Sequence, residues 1–203
     1  MQPNPIFNPC GDDRIENRSI WFGNTTNLMQ LNDVRYSWAI GLYQQMRENF
    51  WIPQKLDLTQ DVTDYWNLTH DERHAYDGIL SYLTFLDSIQ TCNLPHIKSC
   101  ITAPEISLCI AEQIAQEGMH NQSYQYIIET VIPSDRRNAV YEFWRTDEVL
   151  AERCEFIAQL YQKQLDFPSE ENYFMALLAD YLLEGMYFYN GCAIRSTEIG
   201  LVA

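Results

Sequence analysis

The sequence predicts an all-α protein built as a bundle of long helices, and three observations predict it. No window shows sustained period-two alternation of apolar and polar residues. Apolar residues instead recur at spacings of three and four over long stretches, the pattern of a helix with one buried face. Prolines and capping residues then punctuate those stretches where helices start and stop.

The elements follow in order. Residues 1–27 carry prolines at 3, 5 and 9 and scattered Asn, Gly and Asp without periodicity, so they read as an irregular arm. From Leu28 the residues Leu31, Val34, Trp38, Leu42, Met46 and Phe50 trace one helical face, ended by Pro53. Thr69-His-Asp-Glu72 is a capping box that opens a helix running to about Gln90, before Pro95. Thr102-Ala-Pro104-Glu105 opens another that reaches about Val131 and closes at Pro133. Two stretches near 135–145 and 147–165 lead to Pro168, and Ser169 caps a last helix to about Gly191. No internal repeat or low-complexity tract interrupts the series.

The chain has 203 residues, 46% of them hydrophobic and 20% charged, a composition that excludes disorder and disulfide-scaffold classes. Thirteen Lys and Arg against 28 Asp and Glu give a net charge of −15, which opposes a phosphate backbone, so nucleic acid is not an expected partner. The six cysteines show no C-x-x-C pair and are expected to be reduced packing residues. Met1-Gln-Pro-Asn-Pro has no basic-then-apolar leader pattern, and a cytoplasmic location is expected. Met175 to Ile194 approaches membrane-span length, but Asp180 and Glu184 interrupt it, and no membrane contact is expected.

Carboxylates stand where core residues belong. Glu117 and His120 lie three residues apart, about 4.5 Å along a helix axis, inside the apolar series Ile110, Ile114, Tyr124, Ile127 and Ile128. Tyr76, Leu80 and Leu83 precede Asp87 on its own face, so Asp87 is expected to point inward. Glu184 falls among Leu177, Tyr181 and Phe188 and is expected to do the same. Buried carboxylates are normally paired or bound to metal, and an Asp, Glu, His, Glu set suits iron or manganese. His70 and His74, beside Asp71 and Glu72, fit a solvated first turn better than a metal site, and His96 is expected in a loop after Pro95.

Phe85-Leu-Asp87-Ser-Ile-Gln90, Gln116-Glu117-Gly-Met-His120-Asn-Gln-Ser-Tyr124 and Leu183-Glu184-Gly-Met-Tyr-Phe188-Tyr resemble three signatures of the class I ribonucleotide reductase small subunit, with Phe50-Trp51-Ile-Pro53 resembling a fourth. The resemblance spans residues 28 to 191 in the family's order. It implies a ferritin-like helical bundle with a dinuclear iron, manganese or mixed site, activated by dioxygen or a derived oxidant, that makes a tyrosyl radical for deoxyribonucleotide synthesis. By the same resemblance Asp87, Glu117 and His120 would ligate the first metal, with Glu184 contributing to the second. Tyr124 takes the radical position, four residues after His120; Phe188 would keep it dry, and Trp51 matches the residue that passes the oxidising equivalent on. The implied partners are the large catalytic subunit and, in the complete form, a second copy.

The pattern stops short of the family's full extent. The second E-x-x-H, the aspartate partner of Trp51 and the tyrosine-bearing tail are absent by Ala203, so the bundle is expected to be truncated before its last helices and inactive alone. Residues 192–203, from Cys192 through Thr197-Glu-Ile199, resemble the opening of an intein with Cys192 as its thiol nucleophile; a frameshift or premature stop is the alternative. The rival functional readings are a related ferritin-like oxidase, marked by an open apolar channel to the metal, and a metal-free helical fragment.

Overall fold

The computed structural model describes residues 2–189, and among them it contains helices and no strand. The helices are α1 (Trp38–Glu48), α2 (Thr59–Asn67), α3 (His70–Ser99), α4 (Pro104–Val131), α5 (Arg137–Thr146), α6 (Glu148–Asp166) and α7 (Glu170–Leu182), followed by a π turn at Leu183–Phe188. The residues from Cys192 onward, including the intein-like segment, lie outside the described part.

Most expected starts hold. Thr69 N–H donates to Glu72 Oε2 (2.7 Å) and Glu72 N–H to Thr69 Oγ1 (3.3 Å), the reciprocal capping box that opens α3. Ser169 Oγ accepts from Asn172 N–H (3.1 Å) at the head of α7. Thr102 serves differently from expectation: its Oγ1 accepts Ser19 N–H (2.7 Å), and Ser19 O accepts the N–H groups of Thr102 and Ala103. The two residues before α4 therefore tie down the N-terminal arm.

Four expectations are corrected. The helix from Leu28 begins only at Trp38, because Arg18, 2% exposed, takes the carbonyls of Gln30 (3.3 Å) and Asp33 (2.6 Å), and Leu28 and Leu31 find no burial. α2 has no counterpart in the sequence reading; its nine residues give too short a periodic run. α3 runs through Pro95 to Ser99 and carries His96 in its last turn: Pro95 lies on the exposed face, and Leu94 and Ile97, each 1% exposed, offset the hydrogen bond it cannot make. Finally, α7 and the first residue of the π turn bury Tyr173, Ala176, Ala179 and Leu183, a face one position away from the expected one, so Tyr181 and Glu184 are exposed. The π turn, which closes i to i+5, moves the residues after Leu182 further out of the 3.6-residue phase.

The chain divides into two compact units, and α3 and α4 contribute to both. The first unit comprises Met1–Trp51, Gln90–Glu117 and Leu160–Leu177. Its core gathers Leu94, Ile97, Ile101, Ile106, Ala39 and Tyr173. Glu105, fully buried, accepts Tyr36 N–H on Oε1 (2.8 Å) just before α1, and Tyr173 OH donates to Ile20 O (2.8 Å). The irregular arm is thereby built into this unit.

The second unit comprises Ile52–Ile89, Gly118–Gln159 and Leu178–Ala203, with Tyr65, Tyr76, Leu80, Ile128, Val131 and Val140 at its core. α5 docks on α3 at three successive positions of one face. A Cβ at Gly78 would stand 3.1 Å from the Phe143 ring, Ser81 Oγ accepts Trp144 N–H (2.8 Å), and Phe85 stacks on Trp144 with centroids 3.4 Å apart and planes 7° from parallel. Beside them Asp77 accepts from Tyr65 OH (3.0 Å) and from Arg136 Nη2 (2.5 Å), which joins α2, α3 and the approach to α5. Asp77 is 4% exposed, and burial pushes its carboxyl above the ordinary range against the pull of those partners.

Candidate metal centre

Asp87 and Glu117 are the buried carboxylates that the helix faces foreshadowed, at 0% and 4% exposure. His120 is half-buried, one turn beyond Glu117 on α4. Ligand atoms of Asp87, Glu117 and His120 all lie within 4.8 Å of one another, and theirs is the group of three or more such side chains found among the described residues.

The local sequence explains why these side chains converge. Glu117 and His120 share a helix face by their spacing of three. Asp87 ends a buried run of Tyr76, Leu80 and Leu83 on α3, so it faces inward with them. The two helices are tied at the residues that follow Asp87 and His120. With its amide oriented to satisfy both ends, Asn121 donates to Thr84 O (2.9 Å) and Ser88 Oγ (3.3 Å) and accepts Ser88 N–H (3.2 Å). Gln116, just before Glu117, donates to Met46 O (2.8 Å), which fixes α4 against the end of α1 within the first unit.

The donor set can be tested against the metal the sequence implied. Two carboxylates and one imidazole form an oxygen-rich, hard-to-borderline set, and burial of both acids is the environment in which a bound dication offsets the cost of desolvated charge. The residues fit a first-row divalent ion. Glu184 is exposed in the π turn and is not one of the three, which corrects the expectation that it points inward.

The chain belongs to the ribonucleotide reductase small chain family.

That family's model, described as ribonucleotide reductase, small chain, matches residues 28–196. The ribonucleoside-diphosphate reductase subunit beta of Treponema pallidum is 44% identical over 191 residues, which cover 94% of this chain and 54% of the relative. That of Aquifex aeolicus is 43% identical over 95% of this chain but only 28% of its own length. The ribonucleotide reductase R2 subunit from Clostridium botulinum superposes with a TM-score of 0.90 at 43% identity, over 97% of this chain and 62% of that one. The chain thus spans about half the length of the Treponema relative, and it has the ferritin-like helical fold of the small subunits.

The other residues named from the sequence fall as follows. Tyr124 is half-buried on α4 and packs against the core around Tyr65, Leu80 and Ile128. Trp51 is half-buried at the end of the first unit, and Phe188 is half-buried in the π turn. His70 is exposed and turned to Asp71, and His74 rests against Phe143 with ring centroids 4.9 Å apart. Cys100, Cys109 and Cys154 are buried packing residues as expected, whereas Cys10 and Cys92 are exposed. Among the described residues no helix is long and apolar enough to cross a membrane. A cavity of about 350 Å³ lies beside α3, and none of the three clustered residues lines it.

Sequence reading missed the buried Glu105, Asp77 and Gln90. Each is held by a partner distant in sequence: Glu105 by Tyr36, Asp77 by Arg136, and Gln90 by Tyr161, whose OH donates to Gln90 Oε1 at 2.7 Å. No periodicity signals such pairs. The only clue was that each acid or amide interrupts an apolar helix face.

Proposed function

We propose that this chain is the N-terminal portion, over 28–191, of a radical-generating small subunit of ribonucleoside-diphosphate reductase. Asp87, Glu117 and His120 hold one metal ion of the family's dinuclear site. The observation that carries the reading is the convergence of two buried acids and one imidazole within 4.8 Å, on the helices where the family's signatures lie. The metals are iron, manganese or one of each, since the donor set suits both. When loaded, such a dinuclear centre supplies, with dioxygen or an oxidant derived from it, a one-electron oxidant.

The chain's own residues do the rest. Tyr124, one turn past His120 on the same helix, offers the phenol that loses an electron together with its Oη proton. Its packing against the Tyr65, Leu80 and Ile128 core excludes water from one side of the ring. Phe188 extends that apolar surround, and Trp51 offers an indole for onward transfer to the large subunit, where ribonucleotide reduction takes place. The complete protein is a homodimer of the cytoplasm. Residues 192–203 resemble the opening of an intein, with a frameshift or premature stop as the alternative.

The test is a titration of the metal-free chain with Mn(II), followed by the loss of the free-ion EPR signal. One ion is expected per chain, weakly held, with binding lost in Asp87→Ala and His120→Ala. Two tightly held ions per chain, or binding unchanged by both substitutions, would overturn the assignment. In a polypeptide that carries the family's remaining length, iron and air are expected to give a tyrosyl radical signal that Tyr124→Phe abolishes.

A further inference from the structure

We propose that the cavity bounded by α3, α5, α6 and the π turn is a binding site for a small aromatic monoanion, with its ring system between the ring pairs His74–Phe143 and Tyr82–Tyr187 and its carboxylate toward Arg153. The cavity measures about 350 Å³, at the lower end of the range for small-molecule sites, and belongs entirely to the second unit. It is separate from the carboxylate–histidine group.

Four aromatic or heteroaromatic rings line it. His74 and Phe143 stand 4.9 Å apart at 55°, and Tyr82 and Tyr187 stand 6.3 Å apart at 40°. Both pairs are tilted, so they offer ring edges and faces to a flat guest rather than filling the space by stacking on each other. Gly78 keeps the backbone of α3 low enough for Phe143 to close one wall.

The charges favour an anion. The lining holds one carboxylate, Asp147, whose Oδ1 is spent on the N–H groups of Val149 and Leu150 (both 3.0 Å) at the head of α6. Arg153 is exposed and forms no ion pair among the described residues, in a chain whose net charge is −15. An uncommitted guanidinium beside an aromatic wall recognises a carboxylate by a charge-assisted, bidentate contact.

Tyr82 completes the wall. The residue is 6% exposed and its hydroxyl is buried with no hydrogen-bond partner. Burial raises its pKa, so the group stays a neutral phenol, and its ring forms part of the cavity wall.

The experiment titrates the metal-free 203-residue chain with 2-naphthoate, followed by ligand fluorescence, with 2-naphthamide as the uncharged isostere. Circular dichroism checks the helix content of every variant. Naphthoate is expected to bind about tenfold more tightly than the amide. Arg153→Gln, a change at an exposed position, is expected to remove that preference. No naphthoate binding by a chain of native helix content, equal affinity for the amide, or a preference that survives Arg153→Gln would each overturn the proposal. The outcome does not depend on metal, so it stands or falls apart from the reductase reading.

Discussion

Ser88 on α3 and Asn121 on α4 are hydrogen-bonded to each other, and each is the residue immediately after a member of the candidate metal-binding group, Asp87 and His120 respectively. The pair locks the rotational phase of both helices at the point where their ligands must converge. Asn121→Ala is expected to lower Mn(II) affinity by about 10- to 100-fold, the range for residues that orient ligands. Helix content should stay unchanged. An affinity equal to that of the unmodified chain would show that the helices hold their phase without this link.

The Tyr65–Asp77–Arg136 group gives a stability prediction with a pH sign. Arg136→Ala leaves Asp77 a buried acid with only Tyr65 OH as a donor among these groups. With the Arg136 side chain 42% exposed, the loss is expected near about 1–3 kcal/mol rather than the larger cost of a fully buried pair. Because burial raises the Asp77 pKa in the folded chain, the folded state holds this proton more tightly than the unfolded one. Its contribution is therefore fully present below the ordinary aspartate pKa and is lost as pH rises through the folded value. Urea unfolding of the unmodified chain and of Asp77→Asn across pH 3–7, about one pH unit at a time, should show that falling component in the former and not the latter.

At alkaline pH the sign is the same and the groups are different. Burial pushes the Cys154 thiol up to about 12 and raises the phenols of Tyr65, Tyr82 and Tyr173. The unfolded chain releases these protons first, so stability is expected to fall as pH climbs from about 9, by up to about 1.4 kcal/mol per pH unit for each such group. Cys154→Ala should flatten the first part of the fall in a thermal-unfolding series. A slope unaltered by that change would remove Cys154 from the account.

Gly78 allows Phe143 to approach α3. Gly78→Val adds branched bulk where even a Cβ would be 3.1 Å from the ring, and a loss of about 1–3 kcal/mol is expected. If the ring is the obstacle, Phe143→Ala combined with Gly78→Val should cost less than the sum of the single changes. Strict additivity in chemical unfolding would place the strain elsewhere.

The parts of the fold legible in the sequence were those governed by local rules. The capping box at Thr69, the proline start of α4 and the Ser169 cap all form as their residues dictate. Asp87 and Glu117 were legible as buried because long helices keep phase, and each acid stood among apolar residues at helical spacing. What failed was decided by distant contacts. Arg18 stops a helix from forming at Leu28 by binding two carbonyls, and the packing of Leu94 and Ile97 carries α3 past Pro95. Glu184 failed for another reason: the buried face of α7 lies one position off the expected stripe, and a π turn then changes the period on which the reading relied.

That π turn makes the bearing of Tyr187 and Phe188 a matter of spacing as much as of residue type. A wide turn holds about one residue more than the α-turn it replaces, so deleting one residue between Leu183 and Phe188 would return the segment to α register. The residues beyond the deletion would then swing by about 100° around the axis. Evolution or a designer could thus re-aim Tyr187 and Phe188 in one step, by removing Gly185 or Met186, without changing either of them.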